Sequence, residues 1–296
     1  MSIQPLPLQN IAGGGRDSGF PIPQYFADLG GHKTAFCDTS GDGPVLFFVH
    51  GLAGNLTHWV HVAPKFVGDY RVVGIDLYGC GESERRRDRY SIDMYAKQVL
   101  ALMDLLEIER ATMIGHSLGG MVLTDLILAH PHRVEGVVMV NPAGFLDIPR
   151  LVQGLGRVVL RRRLLNLLLP RLWKLVLANV FYTDNEYTRH FVQVQEQSYD
   201  PKTDIFDVTR VMTDLRLEVL RRNYLTLLPQ ISVPVHVIWG EEDRLVPAAE
   251  LRRAALRLPD ATLRELPNVG HMPIIEVPEE VVAFLRGALA IHARAA

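Results

Sequence analysis

One serine in this sequence stands in a setting that could make it a nucleophile. Ser117 is the central residue of the run G-H-S-L-G at 115–119, which follows a strand pattern and precedes a helical pattern. A serine on such a sharp strand-to-helix turn is exposed at a helix N-terminus, where backbone N–H groups favour developing negative charge. The pattern therefore predicts nucleophilic chemistry at the Ser117 hydroxyl.

A serine hydroxyl is a weak nucleophile at neutral pH, so this chemistry also needs a base and an acid that orients the base. Downstream, His271 lies in a loop ahead of the last helical pattern, and Asp243 follows an apolar run at 235–239. Glu241 and Glu242, in the same turn, are alternative acids. The chain order of serine, acid and histidine is typical of one fold in particular.

The elements that must position these residues are short apolar runs separated by helical patterns. The runs occupy residues 45–49, 72–75, 112–114, 137–140 and 235–239. Continuous runs of this kind predict strands buried on both faces of a mostly parallel sheet. Ser91 is predicted to cap one amphipathic helix, and Pro278 to open the last one. The sequence thus predicts an α/β domain.

Composition excludes several other classes of protein. The chain has 31 basic and 33 acidic residues, so no global field attracts it to nucleic acid. Cys37 and Cys80 have no metal-ligand or disulfide-framework spacing, and we interpret both as reduced thiols. Neither a secretory signal pattern nor an apolar run long enough to span a membrane is visible, so we expect a cytoplasmic location. Residues 1–30 predict a loosely tethered arm, with the ordered domain starting near Gly31.

The sequence resembles the α/β-hydrolase family from about residue 31 to residue 290. The resemblance rests on five motifs in the expected order: H-G-L-A-G at 50–54, D-L-Y-G-C-G-E-S at 76–83, G-H-S-L-G-G at 115–120, W-G-E-E-D at 239–243 and G-H at 270–271. It implies an eight-stranded, mostly parallel sheet with helices on both faces, formed by residues 31–144 and 231–296. We expect a helical cap insertion at 145–230, where a Leu-rich and Arg-rich helical pattern contains no strand pattern.

The resemblance also implies roles for individual residues. Ser117 would be the nucleophile, His271 the general base and acid, and Asp243 the residue that orients the histidine. The backbone N–H groups of Leu52 and Leu118 would bind the oxyanion. Residues expected only to shape the site are His50, Gly51, Gly115, His116 and Gly119. Some relatives carry the acid after the strand at 137–140, where this chain has Asn141.

These roles predict a metal-free, cofactor-free serine hydrolase that cleaves esters of apolar acyl or aryl groups through an acyl-enzyme. His58 with His61, and His130 with His132, lack the further ligands of a metal site. A carbon-carbon bond hydrolase of ring meta-cleavage products is the alternative enzyme, and a non-catalytic ligand receptor is the alternative from another class.

The cap is expected to decide which substrate fits, and its leucine content favours a small-molecule ester that is rich in carbon. Between residues 150 and 174 it carries six arginines and a lysine but no acid. We favour an interpretation in which the arginines form a solvated face and the apolar residues pack on the core. Contact with an anionic membrane surface is the alternative. The oligomeric state is left open.

Overall fold

A computed structural model describes residues 3–5, 20–198 and 204–295 of the chain. Within them nine strands form one sheet, in the spatial order β1-β2-β3-β5-β4-β6-β7-β8-β9. The strands are β1 (Ile3–Pro5), β2 (Gln24–Asp28), β3 (Lys33–Asp38), β4 (Val45–Val49), β5 (Arg71–Ile75), β6 (Ala111–His116), β7 (Val134–Val140), β8 (Val235–Gly240) and β9 (Ala261–Leu266). The first three pair antiparallel at one edge, and β4 to β9 are parallel.

The predicted α/β class is confirmed, with nine strands where eight were expected. All five predicted runs are strands, because each is buried on both faces and therefore apolar throughout. The edge strand β9 was missed because its burial alternates between half-buried and exposed positions, as one covered face requires. The expected start near Gly31 is wrong, since β2 already pairs with β3 and buries Ala27.

Helices cover both faces of the sheet. They are α1 (Ile92–Leu105), α2 (Leu118–Ala129), α3 (Arg150–Val159), α4 (Arg162–Val180), α5 (Glu186–Ser198), α6 (Asp204–Arg221), α7 (Ala248–Ala255), α8 (Pro273–Glu276) and α9 (Pro278–Ala295). The Ser91 side chain accepts a hydrogen bond from the Met94 N–H and so caps α1, as predicted. Two hydrophobic clusters fill the spaces between the sheet and its helices.

Residues 145–230, which we call the cap, contribute α3 to α6 between β7 and β8. The described part of the cap contains no strand. Its attachment is uneven: α6 buries Val211 and Leu215, whereas α3 buries none of its residues. The expectation that apolar cap residues pack on the core is therefore wrong for α3, because its own apolar face is exposed. None of the helices in the described ranges combines the length and the apolar character needed to cross a bilayer.

Candidate active site

The turn between β6 and α2 places Ser117 at the carboxyl edge of the sheet. Its backbone has φ of 51° and ψ of −112°, a left-handed conformation that costs energy for a residue with a side chain. The neighbouring glycines make room for this turn. A β-carbon at Gly119 would lie 2.4 Å from the Val49 carbonyl oxygen, and one at Gly115 would lie 2.7 Å from the Leu123 side chain. The predicted motif thus forms the strained turn that its glycines indicate.

The structure brings Ser117, His271 and Asp243 together, although 126 and 28 residues separate them along the chain. The His271 Nε2 lies 3.0 Å from the Ser117 Oγ, and the His271 Nδ1 lies 2.7 Å from the Asp243 Oδ2. An ionised carboxylate only accepts hydrogen bonds, so the Nδ1 carries the proton and donates it to Asp243. The Nε2 lone pair therefore faces the serine hydroxyl, as a general base requires.

Asp243 is held in place by four donors. Its Oδ1 accepts from the backbone N–H groups of Leu245 and Val246, at 2.7 and 3.0 Å. Its Oδ2 accepts from Asn141 Nδ2 at 2.6 Å as well as from His271. Burial alone would raise the pKa of Asp243, but the hydrogen bonds from His271, Asn141 and Val246 together lower it. Asp243 is therefore a carboxylate at neutral pH.

The two glutamates in the same turn do not contact His271 in the way that Asp243 does. Glu241 and Glu242 are exposed, whereas Asp243 is buried. The Glu241 carboxylate pairs with Arg252 at 3.8 Å. Neither glutamate is hydrogen-bonded to His271 among the contacts of the described residues. The structure thus favours the predicted acid.

Asn141 is a site residue whose contribution was not predicted from the sequence. It follows β7, has φ of 43°, and is fully buried. Besides Asp243, its Nδ2 reaches the Gly270 carbonyl oxygen at 3.2 Å, next to His271. The available signal was its position at the carboxyl end of a strand beside β8, because neighbouring parallel strands end at the same edge.

Glu276 is the second residue that the sequence analysis missed. This buried carboxylate accepts hydrogen bonds from the Gly270 and Met272 N–H groups, on both sides of His271. It also accepts from the Tyr182 and Thr183 N–H groups, just after α4, both at 2.9 Å. Glu276 therefore joins the histidine loop to the cap.

The loop after β4 lies against the nucleophile turn. A β-carbon at Gly51 would lie 2.8 Å from the His116 Nδ1 and 3.1 Å from the Ser117 Cβ, so glycine allows this close approach. The His50 Nε2 accepts from the Leu77 N–H at 3.0 Å, and its Nδ1 donates to the Gly51 carbonyl at 2.7 Å. Leu118 is the first residue of α2, so its N–H has no intrahelical partner. Leu52 and Leu118 thus lie on the two turns that meet at Ser117.

Four buried histidines form a row beside the serine. Their ring centroids are 6.2 Å apart for His50 and His58, 6.0 Å for His58 and His116, and 5.0 Å for His116 and His271. Burial lowers the pKa of His50 to about 4 and, helped by repulsion from His271, that of His116 to about 3. Burial also lowers the pKa of His58 far below its usual value. These three rings are therefore neutral at pH 7.

Two of these rings have structural contacts that account for them. The His116 Nε2 donates to the His271 carbonyl oxygen at 2.9 Å, and the His50 contacts hold the loop after β4. Among the described residues, no group of three or more His, Cys, Asp or Glu side chains is arranged to hold a metal ion.

Comparison with known proteins gives the same assignment at the level of the family. A family model described as the alpha/beta hydrolase fold matches residues 44–278. The chain is 31% identical over 295 residues to the dihydrolipoyllysine-residue acetyltransferase component of the acetoin cleaving system of Pseudomonas putida, covering 96% of this chain and 75% of that protein. Over 109 residues, 36% of this chain and 38% of the relative, it is 36% identical to 2-hydroxymuconate semialdehyde hydrolase of Pseudomonas sp. strain CF600.

A solved structure has the same fold. The enol-lactonase from Burkholderia xenovorans LB400 matches 90% of this chain and 99% of its own, with a TM-score of 0.76 and 24% identity. The family model spans well over half of the 296 residues. This chain belongs to the alpha/beta hydrolase family.

Proposed function

We propose that the protein is a serine hydrolase that cleaves carboxylic esters of apolar acyl or aryl groups through an acyl-enzyme. The observation that carries this proposal is the hydrogen-bonded line from Ser117 Oγ through His271 to the Asp243 carboxylate. A base on one side of the serine and a fixed acid behind the base is the arrangement that nucleophilic acyl transfer needs.

In this mechanism His271 Nε2 removes the proton from the Ser117 hydroxyl as the oxygen attacks the ester carbonyl. The negative charge moves to the carbonyl oxygen, where the backbone N–H groups of Leu52 and Leu118 stabilise it. The intermediate then expels the alcohol, which takes the proton from His271. Water, deprotonated by the same histidine, attacks the acyl group. The intermediate releases the acid, and His271 returns the proton to the Ser117 oxygen.

An apolar substrate is favoured by the cap residues that reach the histidine row. The Phe191 ring of α5 lies 5.8 Å from His58 and 5.8 Å from Phe181. The last residue of α4 also contacts the site, since the His271 N–H donates to the Val180 carbonyl oxygen at 2.9 Å. Aromatic cap side chains next to the histidine row would bury the carbon-rich part of an ester.

Carbon-carbon bond hydrolysis of a ring-cleavage product is the second candidate. It is favoured by the local similarity to 2-hydroxymuconate semialdehyde hydrolase and would use the same three side chains. Transfer of the acyl group to a thiol is a variant of the leading proposal, because the Pseudomonas putida relative is named an acetyltransferase. An acyl-enzyme could pass its acyl group to either water or a thiol.

The test is a panel of p-nitrophenyl esters of increasing chain length, run beside a vinylogous diketone acid and repeated with an added dithiol acceptor. Ser117→Ala is the control enzyme, and we expect it to lose on the order of 10³ to 10⁶ in kcat. Ester turnover without diketone turnover supports the proposal. Diketone turnover without ester turnover would replace it with the second candidate, and thioester formation that outpaces hydrolysis would make the protein a transferase.

A further inference from the structure

Helix α3 presents its apolar residues to solvent rather than to the protein. Leu151, Val152, Leu155, Val158 and Val159 follow the spacing i, i+1, i+4, i+7, i+8, which places them on one side of a helix. We call these five residues the outer face of α3. Their exposed fractions are 86, 50, 64, 49 and 40%, respectively. A stripe that would normally be buried is thus accessible to solvent.

The inner side of the same helix is occupied by small and polar residues. A β-carbon at Gly156 would lie 2.8 Å from the Leu220 side chain of α6, so glycine lets the two helices approach closely. The Gln153 Nε2 donates to the Ile148 carbonyl at 2.8 Å. Because this side of α3 already packs on α6 and contacts the segment before α3, rotating the helix to bury its leucines would break these contacts. The exposed stripe is therefore built into the structure.

The chain segment that carries the outer face is rich in arginine. Arg150 begins α3, and Arg161, Arg162 and Arg163, all exposed, form the corner between α3 and α4. No aspartate or glutamate occurs between residues 148 and 183. Beyond the corner, α4 continues the pattern with exposed Leu167, Arg171 and Leu175 at a four-residue spacing. This segment thus combines exposed apolar side chains with arginines and contains no acid.

We propose that the outer face of α3 binds the surface of an anionic lipid bilayer, with the arginines of the corner contacting lipid phosphates. An amphipathic helix lying in such an interface buries its apolar side at the headgroup boundary while its cations attract the charged lipids. A second copy of this chain fits poorly, because pairing two such surfaces would bring together two arginine-rich segments that contain no acid between residues 148 and 183. This inference goes beyond the proposed ester hydrolysis and does not depend on it.

Sedimentation with vesicles tests this inference. The full chain is mixed with vesicles in which about one third of the lipid is phosphatidylglycerol and the rest phosphatidylcholine, and with vesicles of phosphatidylcholine alone. We expect binding to the anionic vesicles that weakens as salt is added, and little binding to the neutral ones. Absence of binding to the anionic vesicles, or equal binding to both, would overturn the proposal.

Variants of exposed residues separate the two parts of the surface. Arg161→Gln, Arg162→Gln and Arg163→Gln combined should lower the partition coefficient on the order of 100-fold. Leu151→Ser with Leu155→Ser should lower it about tenfold or more. Leu256→Ser is the matched control, because Leu256 is 88% exposed but lies at the end of α7. It should bind as the wild type does.

Two further readouts distinguish membrane binding from a loss of folding and from self-association. All of these variants should hydrolyse a soluble short-chain ester, or any other substrate found for the enzyme, at the wild-type rate. Analytical ultracentrifugation should give the same mass for the wild type and the leucine variant. A dimer that the leucine pair abolishes, without vesicle binding by the wild type, would show instead that the outer face joins two copies.

Discussion

Helices α2 and α3 are both rich in leucine and valine, but they use these residues differently. In α2, which follows Ser117, nine of twelve residues are buried, whereas in α3 of the cap none of ten is buried. Helix α2 packs against strands and other helices, and so it can hold Ser117 in a strained conformation. The second helix is free on its apolar side. By our two proposals, helices of similar composition therefore serve catalysis in the core and surface binding in the cap.

The proposed triad lies on the core side of this division, and loss of its acid should have the largest effect. We expect Asp243→Asn to lower kcat on the order of 10⁴-fold, because an amide would no longer hold the required proton on His271 Nδ1. Steady-state kinetics of ester hydrolysis measure this. Glu242→Gln is the matched control, since Glu242 is the exposed neighbour, and it should keep the wild-type rate.

A result in which Glu242→Gln is the damaging change would reverse this assignment. Intact activity in both variants would mean that neither acid orients His271.

Leucine substitutions test the comparison between the two helices directly. Leu126 of α2 is fully buried, so Leu126→Ala should lower the free energy of unfolding by roughly 2–5 kcal/mol. Leu151 of α3 is 86% exposed, and Leu151→Ala should change that free energy by no more than about 0.5 kcal/mol. Urea unfolding of both variants measures the difference. Equal losses would mean that α3 packs more tightly than its exposed face indicates.

Glu276 connects the two regions, and so its loss should affect both stability and catalysis. Among the described residues, every hydrogen bond to its carboxylate comes from a backbone N–H. In Glu276→Gln the amide nitrogen carries hydrogens and cannot accept from these N–H groups. We expect a loss of roughly 1–3 kcal/mol in the free energy of unfolding. We also expect kcat to fall more than KM changes, because His271 loses its support. Glu280→Gln, at an exposed position of α9, is the control.

If kcat of the folded Glu276→Gln enzyme is unchanged while its stability falls, Glu276 is only a structural residue and does not position His271.

Acid should destabilise the core through its buried histidines. His50, His58 and His116 have lowered pKa values when folded, so the unfolded chain binds protons that the folded protein does not once the pH falls below about 6.5. Asp76 acts in the opposite sense, because burial raises its pKa to about 7 and it takes up a proton in the folded state. Three groups outweigh one, so stability should fall as the pH drops from about 6.5 to about 4.

The expected slope is on the order of 1 kcal/mol or more per pH unit between about pH 6 and pH 4, measured by urea unfolding. His132→Gln removes an exposed histidine and should leave the slope unchanged. Stability that is constant or increases on acidification would contradict the neutral histidine row.

The sequence predicted best those features that depend on contacts between residues close together in the chain. The strand runs and the glycines at 115 and 119 could be interpreted from the sequence alone, because burial on both faces and a tight turn constrain residue type locally. The contributions of Asn141 and Glu276 could not, since each depends on partners 102 and 94 residues away, respectively. The exposed face of α3 could not either, because its apolar spacing is the same as that of a buried helix.

The central claim is that Ser117 is a nucleophile activated by His271. The most direct test is to treat the protein with a fluorophosphonate, which forms a bond between serine oxygen and phosphorus as fluoride leaves, and to map the adduct by mass spectrometry. We expect one adduct per chain, on Ser117, that is absent in Ser117→Ala and forms far more slowly in His271→Ala. Full ester hydrolysis with no adduct, or with the adduct on another residue, would contradict the claim.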